Sequence, residues 1–198
     1  MLILVRHGES TGNAQGQLVG HLDVPLTERG LAQARTVARV LGQVDRVVSS
    51  PLARARATAS AIGARVPVEV DERWVEMDYG DLDGLPLGSV PAESWQGLRS
   101  DPHFRPLGGE SLADVGIRVR SACDELFAEE GQGARGPGSV VVVSHVSPIK
   151  LATCWALGLG DLGVWSLYLA TASVTAIEWK SSGPVLVSYN ERPWSEGG

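Results

Sequence analysis

Four short stretches of this chain carry residue types that could act together on a phosphate. The first is Arg6-His7-Gly8-Glu9, where polar residues begin abruptly after an apolar run. A neutral imidazole nitrogen is a capable nucleophile near pH 7 once its other nitrogen is held by a hydrogen bond. A guanidinium beside it offers a planar fork of donors matched to phosphoryl oxygens. Gly8 and Gly12 let the backbone turn tightly and approach a ligand closely. Taken alone, the motif fits a salt-bridged strand end with a satisfied histidine equally well. The second stretch is Ser144-His145, just past the β-branched run at 140–143. Ser147 is placed to cap the helix that follows and Pro148 to sit in its first turn. Free N–H groups at that helix start would favour an anion, and His145 beside it could add a hydrogen bond and positive charge. The third stretch runs from 49 to 59. Leu52, Ala55, Ala59 and Ile62 make its buried face. Arg54 lies in the first turn, within reach of a phosphate, and Arg56 is about 200° round the helix, facing solvent. The fourth requirement is an acid, because an alkoxide leaves phosphorus slowly unless its oxygen is protonated. Glu72, Glu76, Asp78, Asp81 and Asp83 are the carboxylates on offer, and composition does not choose among them.

These residues need elements to hold them. Residues 2–5 form a short continuous apolar run suited to a strand buried on both faces. With no basic region ahead of it and a polar stop at Arg6, it reads as a first strand and not as a signal peptide. Leu26, Leu31, Ala34, Val37, Ala38 and Leu41 recur at helical spacing, with Thr27 at the N-cap position and Gly42 ending the pattern. Residues 45–49 predict a second strand, followed at once by a helix from Pro51 to about Ile62, and 66–70 a third strand. The stretch 76–110 is rich in Gly, Pro and Asp, with weak periodicity around Trp95 to Leu98, and reads as a long excursion of the kind that carries specificity. Ser111 and Asp114 resemble a capping box. Leu112, Val115, Val119, Cys123, Leu126 and Phe127 then trace one helix face. A flexible turn at 131–138, a strand at 140–143 and a helix from Pro148 to about Leu157 follow. Strands at 173–180 and 185–189 close the chain around Ser182-Gly183. Alternating strands and helices give an α/β domain with a mostly parallel sheet. Ligands in such sheets gather at the carboxyl ends of strands, so Arg6-His7, Arg54 and His145 are expected to converge.

The bulk numbers narrow the function classes. At 198 residues the chain suits one domain, read here as 1–194 with a flexible tail at 195–198. A net charge of −6 argues against nucleic acid, though a local arginine cluster can still take a small anion. No apolar run approaches the roughly 18 residues of a membrane span. Cys123 and Cys154 fall inside apolar helical patterns and read as buried free thiols, which makes the cytoplasm the default location. Fifteen arginines against two lysines match a GC-rich, bacterial coding source. No His/Cys spacing suits a metal. The apolar segment at 165–169 fits a core strand or a subunit contact, which leaves a homodimer open.

At this point the residues resemble a known family. Arg6-His7-Gly8-Glu9-x-x-x-Asn13 is similar to the signature of the histidine phosphatases, the phosphoglycerate-mutase-like superfamily. Five further blocks follow in that family's order: Gly20 to Ala34 with Asp23-x-Pro25-Leu26-Thr27, Ser49 to Ala59 with Arg54, Glu76-x-x-Tyr79-Gly80, Gly108-Gly109-Glu110-Ser111, and Val143-Ser144-His145. The resemblance implies a three-layer α/β/α sandwich around a mostly parallel mixed sheet. It implies that His7 attacks phosphorus and becomes phosphohistidine. Arg6, Arg54 and His145 would bind the phosphoryl oxygens, with the N–H of Val146 assisting, and Glu76 would be the acid. Asn13 would contact the phosphate, and Gly20 and Tyr79 would line the mouth of the pocket. No metal or other cofactor is implied. The partner would be a small phosphorylated metabolite. Two departures bear on the reaction. Val146 stands where the family often has glycine, and Met77-Asp78 follows Glu76 where the cofactor-dependent mutases typically have Arg-His. Between 80 and 105 the only Lys or Arg residues are Arg99 and Arg105, too few to hold a bisphosphate, so hydrolysis is favoured over mutase chemistry. The alternatives are a phosphoglycerate-type mutase, a non-catalytic phosphate-binding module, or, as a specific substrate, α-ribazole phosphate.

Overall fold

The computed structural model describes residues 1–131 and 138–193. Most of the turn expected at 131–138, and all of the tail expected at 195–198, lie outside those residues. The described chain forms six strands and six α-helices: β1 (Leu2–Arg6), α1 (Thr11–Ala14), α2 (Glu28–Leu41), β2 (Arg46–Ser49), α3 (Ala53–Ile62), β3 (Val68–Val70), α4 (Ala92–Ser100), α5 (Leu112–Gly131), β4 (Val140–Ser144), α6 (Val146–Leu157), β5 (Val174–Lys180) and β6 (Gly183–Glu191). The sheet order is β3-β2-β4-β1-β5-β6. The first four strands in that order run parallel, and β5 and β6 pair antiparallel.

The central strands are buried on both faces, as their continuous apolar runs require. Alternate residues serve two cores. Leu2 and Leu4 of β1 and Val140 and Val142 of β4 pack with α5 and α6 residues such as Val115, Val119, Ile149 and Leu151. Val5, Val141 and Val143 pack on the other face with Val37 of α2 and Ala55, Ala59 and Ile62 of α3. Helices therefore cover both faces of the sheet, giving three layers. Each fully buried Val or Leu contributes about 1.5–3 kcal/mol relative to leaving it exposed. Thr27 caps α2 by accepting the Gly30 N–H at 3.0 Å, and Gly42, at φ +67°, ends it. Ser111 and Asp114 form the reciprocal cap of α5.

Several expectations are corrected. The helix α3 begins at Ala53, so Pro51 lies before it and does not occupy its first turn. The stretch 76–110 is not wholly irregular: it contains α4 and two short 3₁₀ turns, Gly80–Leu82 and Leu87–Ser89. The segment at 165–169 is not a strand. It belongs to the end of a 3₁₀ turn, Asp161–Ser166, and the extended residues after it, with Leu169 buried and Tyr168 exposed. No described helix is long and apolar enough to cross a membrane.

Candidate active site

The site follows from sheet register. Because β1, β4 and β2 are parallel neighbours, Arg6 lies beside Ser144 and Ser49 beside Val143. The chain leaves all three strands at one edge and there presents His7, His145 and Ser50. The His7 N–H donates to the Ser144 carbonyl and the Ser50 N–H to the Val143 carbonyl, both at 3.0 Å, which ties the three loops together. The two imidazoles are buried, with ring centroids 5.0 Å apart and planes tilted by 58°.

Their hydrogen bonds set their chemistry. His7 Nδ1 lies 2.7 Å from the Gly8 carbonyl. A carbonyl only accepts, so Nδ1 carries the proton and Nε2 keeps its lone pair. Burial, then the charges of Arg6 and Arg54, hold the His7 pKa well below its ordinary 6.5, so the ring is neutral at pH 7. His145 Nε2 pairs with the Ser50 hydroxyl at 2.7 Å. Its Nδ1 is buried with no hydrogen-bond partner among the described residues. Burial first, then Arg54, His7, Arg6 and Arg118, push the His145 pKa far down as well. The positive charge expected of His145 is therefore not realised in this environment. The ring is a neutral hydrogen-bonding group, and the charge of the site resides on the two arginines.

Each arginine is held by main-chain carbonyls. Arg6 donates to Leu169 at 2.8 Å, and burial lowers its pKa to about 10, which leaves it charged at pH 7. Arg54 donates to Leu22 at 2.9 Å and Gly20 at 2.7 Å, and burial lowers its pKa too. The Thr58 hydroxyl donates to the Arg54 carbonyl at 2.9 Å and accepts the Gly8 N–H at 3.1 Å, joining α3 to the His7 loop. Gly8 must be glycine because a Cβ there would collide with the Gly30 carbonyl.

Glu76 sits on an irregular segment that other elements pin. The Ser144 hydroxyl donates to the Trp74 carbonyl at 2.6 Å. Arg118 of α5 donates to the carbonyls of Arg73 and Val75, each at 2.7 Å, and of Glu76 at 3.1 Å, and pairs with Glu110 at 2.7 Å. The Glu110 carboxylate in turn accepts the Asp78 N–H at 3.0 Å. The Glu76 carboxylate accepts its neighbour Met77's N–H at 2.8 Å, the Val146 N–H at 3.0 Å and the Ser147 N–H at 3.1 Å. The start of α6 does attract an anion, as its free N–H groups demand, but that anion is Glu76. With Glu76 so placed, the Val146 N–H is not open to a phosphoryl oxygen, contrary to expectation. Nor does Ser147 cap α6. His145 occupies the cap position, its own side chain makes no capping bond, and the Glu76 carboxylate takes that role from outside the helix.

A cavity of about 250 Å³ opens over these groups, lined by Arg6, His7, Asn13, Arg54, Glu76, Tyr79 and Val146 among others. Asn13 Oδ1 accepts both the N–H and the hydroxyl of Ser10. That leaves its NH₂ group to meet a ligand. The Tyr79 hydroxyl lies 3.5 Å from that of Ser147, and burial raises its pKa. Gly20 does not line the cavity. It sits behind Arg54 as an acceptor, where a Cβ would strike the Met77 carbonyl. His145 lies behind His7 and is not in the lining. The sequence reading missed Ser50, Thr58 and Arg118 as supports. Trp95 and Leu98, on the excursion expected to carry specificity, line the cavity, but the rest of that wall was missed: Leu18, Val19, Leu87, Leu112, Val164, Trp165 and Lys150. Lys150 was legible in principle, since it lies one helical turn beyond Val146.

Comparison with known proteins agrees with this geometry. Residues 2–192 match the sequence model of the histidine phosphatase superfamily (branch 1). Phosphoserine phosphatase 1 of Hydrogenobacter thermophilus is 36% identical over 197 residues, covering 96% of this chain and 91% of that protein. A glucosyl-3-phosphoglycerate phosphatase of Mycobacterium tuberculosis is 39% identical over 157 residues, covering 73% of this chain and 69% of that protein. The crystal structure of phosphoserine phosphatase from Entamoeba histolytica in complex with 3-phosphoglyceric acid superposes with a TM-score of 0.84 at 28% identity, covering 96% of each chain. This chain therefore belongs to the histidine phosphatase superfamily, branch 1, and is a phosphoric monoester hydrolase of that family.

Proposed function

We propose that this enzyme hydrolyses a small phosphorylated metabolite through a phosphohistidine on His7, without a metal ion. The observation that carries the reading is the Nδ1–H of His7 on the Gly8 carbonyl. It aims an unprotonated Nε2 at a cavity that also holds Arg6, Arg54 and Glu76. In the first step the Nε2 lone pair forms a bond to phosphorus while the P–O bond to the leaving group breaks. Glu76 supplies the proton to the departing oxygen. Arg6 and Arg54 balance the charge on the equatorial oxygens, the task a metal performs elsewhere. Asn13 adds a hydrogen bond, and His145, held by Ser50, packs against the His7 ring. In the second step Glu76 takes a proton from water, the water oxygen bonds phosphorus, and the N–P bond breaks to release phosphate. The named relatives act on phosphoserine and glucosyl-3-phosphoglycerate, which supports a metabolite of that size. Rapid quench during turnover of a ³²P-labelled ester should trap acid-labile, base-stable phosphate on the wild type and none on His7→Ala. Turnover should survive EDTA. Phosphate release by His7→Ala at the wild-type rate, or its loss on chelation, would overturn the mechanism.

A further inference from the structure

The cavity holds more positive charge than a phosphoryl group requires. The chain has only two lysines, and one of them, Lys150 of α6, is half-buried in the cavity wall. Arg6 and Arg54 are each engaged by carbonyls. Arg99 stacks outside the cavity over the Trp95 and Trp165 rings, at 5.5 and 5.6 Å. Lys150 has no hydrogen bond or ion pair among the described residues. Glu76, the carboxylate in the same cavity, is already bound by the start of α6. Burial, then the charge of Arg6, depresses the Lys150 pKa, and the more distant charge of Glu76 opposes this only in part. An unpaired ammonium among apolar walls is costly unless a ligand offsets it.

We infer that Lys150 is a specificity-determining residue that pairs with a carboxylate on the leaving group of the substrate. The inference rests on the phosphatase reading of the same site. Val146 and Lys150 stand one turn apart on the cavity face of α6. Val146 is at the Glu76 end, where the ester oxygen departs, so Lys150 meets the far end of the leaving group. Leu98, Leu112 and Val164 share the cavity wall with it and supply apolar surface to the rest of the leaving group. One ammonium balances the single charge of a carboxylate. A second phosphate, with close to two charges at pH 7, would be left under-compensated.

The test compares 3-phosphoglycerate with glycerol 3-phosphate, which differ at the far end by a carboxylate against a hydroxymethyl group. The wild type should favour the carboxylate in kcat/KM by roughly 10- to 100-fold, the strength of a charged hydrogen bond. Lys150→Met should bring that ratio to near one, chiefly through KM, and Lys150→Arg should retain a preference. The same ratio read as Kd by calorimetry on His7→Ala, with and without Lys150→Met, reports the contact without turnover. A ratio that Lys150→Met leaves unchanged overturns the assignment, as does tighter binding of propane-1,3-diol bisphosphate than of 3-phosphoglycerate. If no ester is turned over but the Kd ratio behaves as stated, hydrolysis fails and the Lys150 assignment stands. If turnover is normal and the ratio flat, the assignment fails alone.

Discussion

Arg118 offers the sharpest test of how the acid is positioned. It does not itself line the cavity, yet its guanidinium holds the carbonyls of Arg73, Val75 and Glu76 and both oxygens of Glu110. Replacement by methionine keeps the aliphatic length and removes all five hydrogen bonds. An acceptor left buried and unpaired costs about 1–3 kcal/mol. The Arg118 and Glu110 side chains are 18% and 21% exposed, so water can replace part of what is lost. The expected destabilisation is therefore about 2–4 kcal/mol in all, or a fall in Tm of roughly 4–16 °C at 2–4 °C per kcal/mol for a domain near 200 residues. The catalytic effect is separable from this. Once freed, the segment bearing Glu76 can shift, and a displacement near 1 Å costs on the order of 100-fold. That loss falls on protonation of the leaving oxygen. In kcat/KM, glycerol 3-phosphate should fall about 100-fold, since an alkoxide needs the proton. p-Nitrophenyl phosphate should fall less than about fivefold, since its phenolate leaves with little help. Glu76→Gln should show the same split and so calibrates the assay. All rates are taken well below the variant's Tm. An equal fall on both esters would show that Arg118 supports only the fold, and would refute the positioning argument.

Two other expectations follow from the imidazoles. Both rings have folded pKa values held below the unfolded 6.5, so the unfolded chain binds more protons as the pH drops through 6.5. Stability contributed by these neutral rings is complete above that pH and is lost below it, with a slope of at most about 1.4 kcal/mol per pH unit for each group. Thermal melts from pH 8 to pH 5 should show Tm falling below pH 6.5, with a flatter fall in a His7→Ala/His145→Gln double variant; an identical slope in the two proteins would contradict the burial argument. Ser50→Ala should lower kcat/KM about tenfold, because it leaves both ring nitrogens of His145 without a partner and frees the ring to turn. Wild-type kinetics in that variant would show that Ser50 does not orient the ring.

What the sequence discloses here depends on how directly a residue is tied to a strand. His7, Arg54 and His145 follow or flank buried strands whose apolar runs are unambiguous, and parallel register then brings them to one edge. Glu76 is different. It lies on a segment with no period, held by contacts to Arg118, Ser144 and α6 that come from 42 to 70 residues away in the chain. Local pattern carries no trace of such contacts, which is why resemblance and not spacing singled it out from five carboxylates. The same limit explains α4. Pro91 ahead of it and Gly97 within it weaken the periodic signal, and what holds the helix in place is tertiary: Leu98 is buried in the core, and the Trp165 ring N–H donates to its carbonyl at 2.9 Å. Lys150 escaped for another reason. Positive charge was sought along the excursion at 80–105, the usual place for specificity residues, whereas the unpaired cation stands on the helix that also carries the site's second histidine loop. On the proposed mechanism, one helix orients Glu76 by its N-terminus and presents Lys150 to the leaving group one turn later. Changes along α6 should therefore alter leaving-group protonation and leaving-group choice as separable quantities.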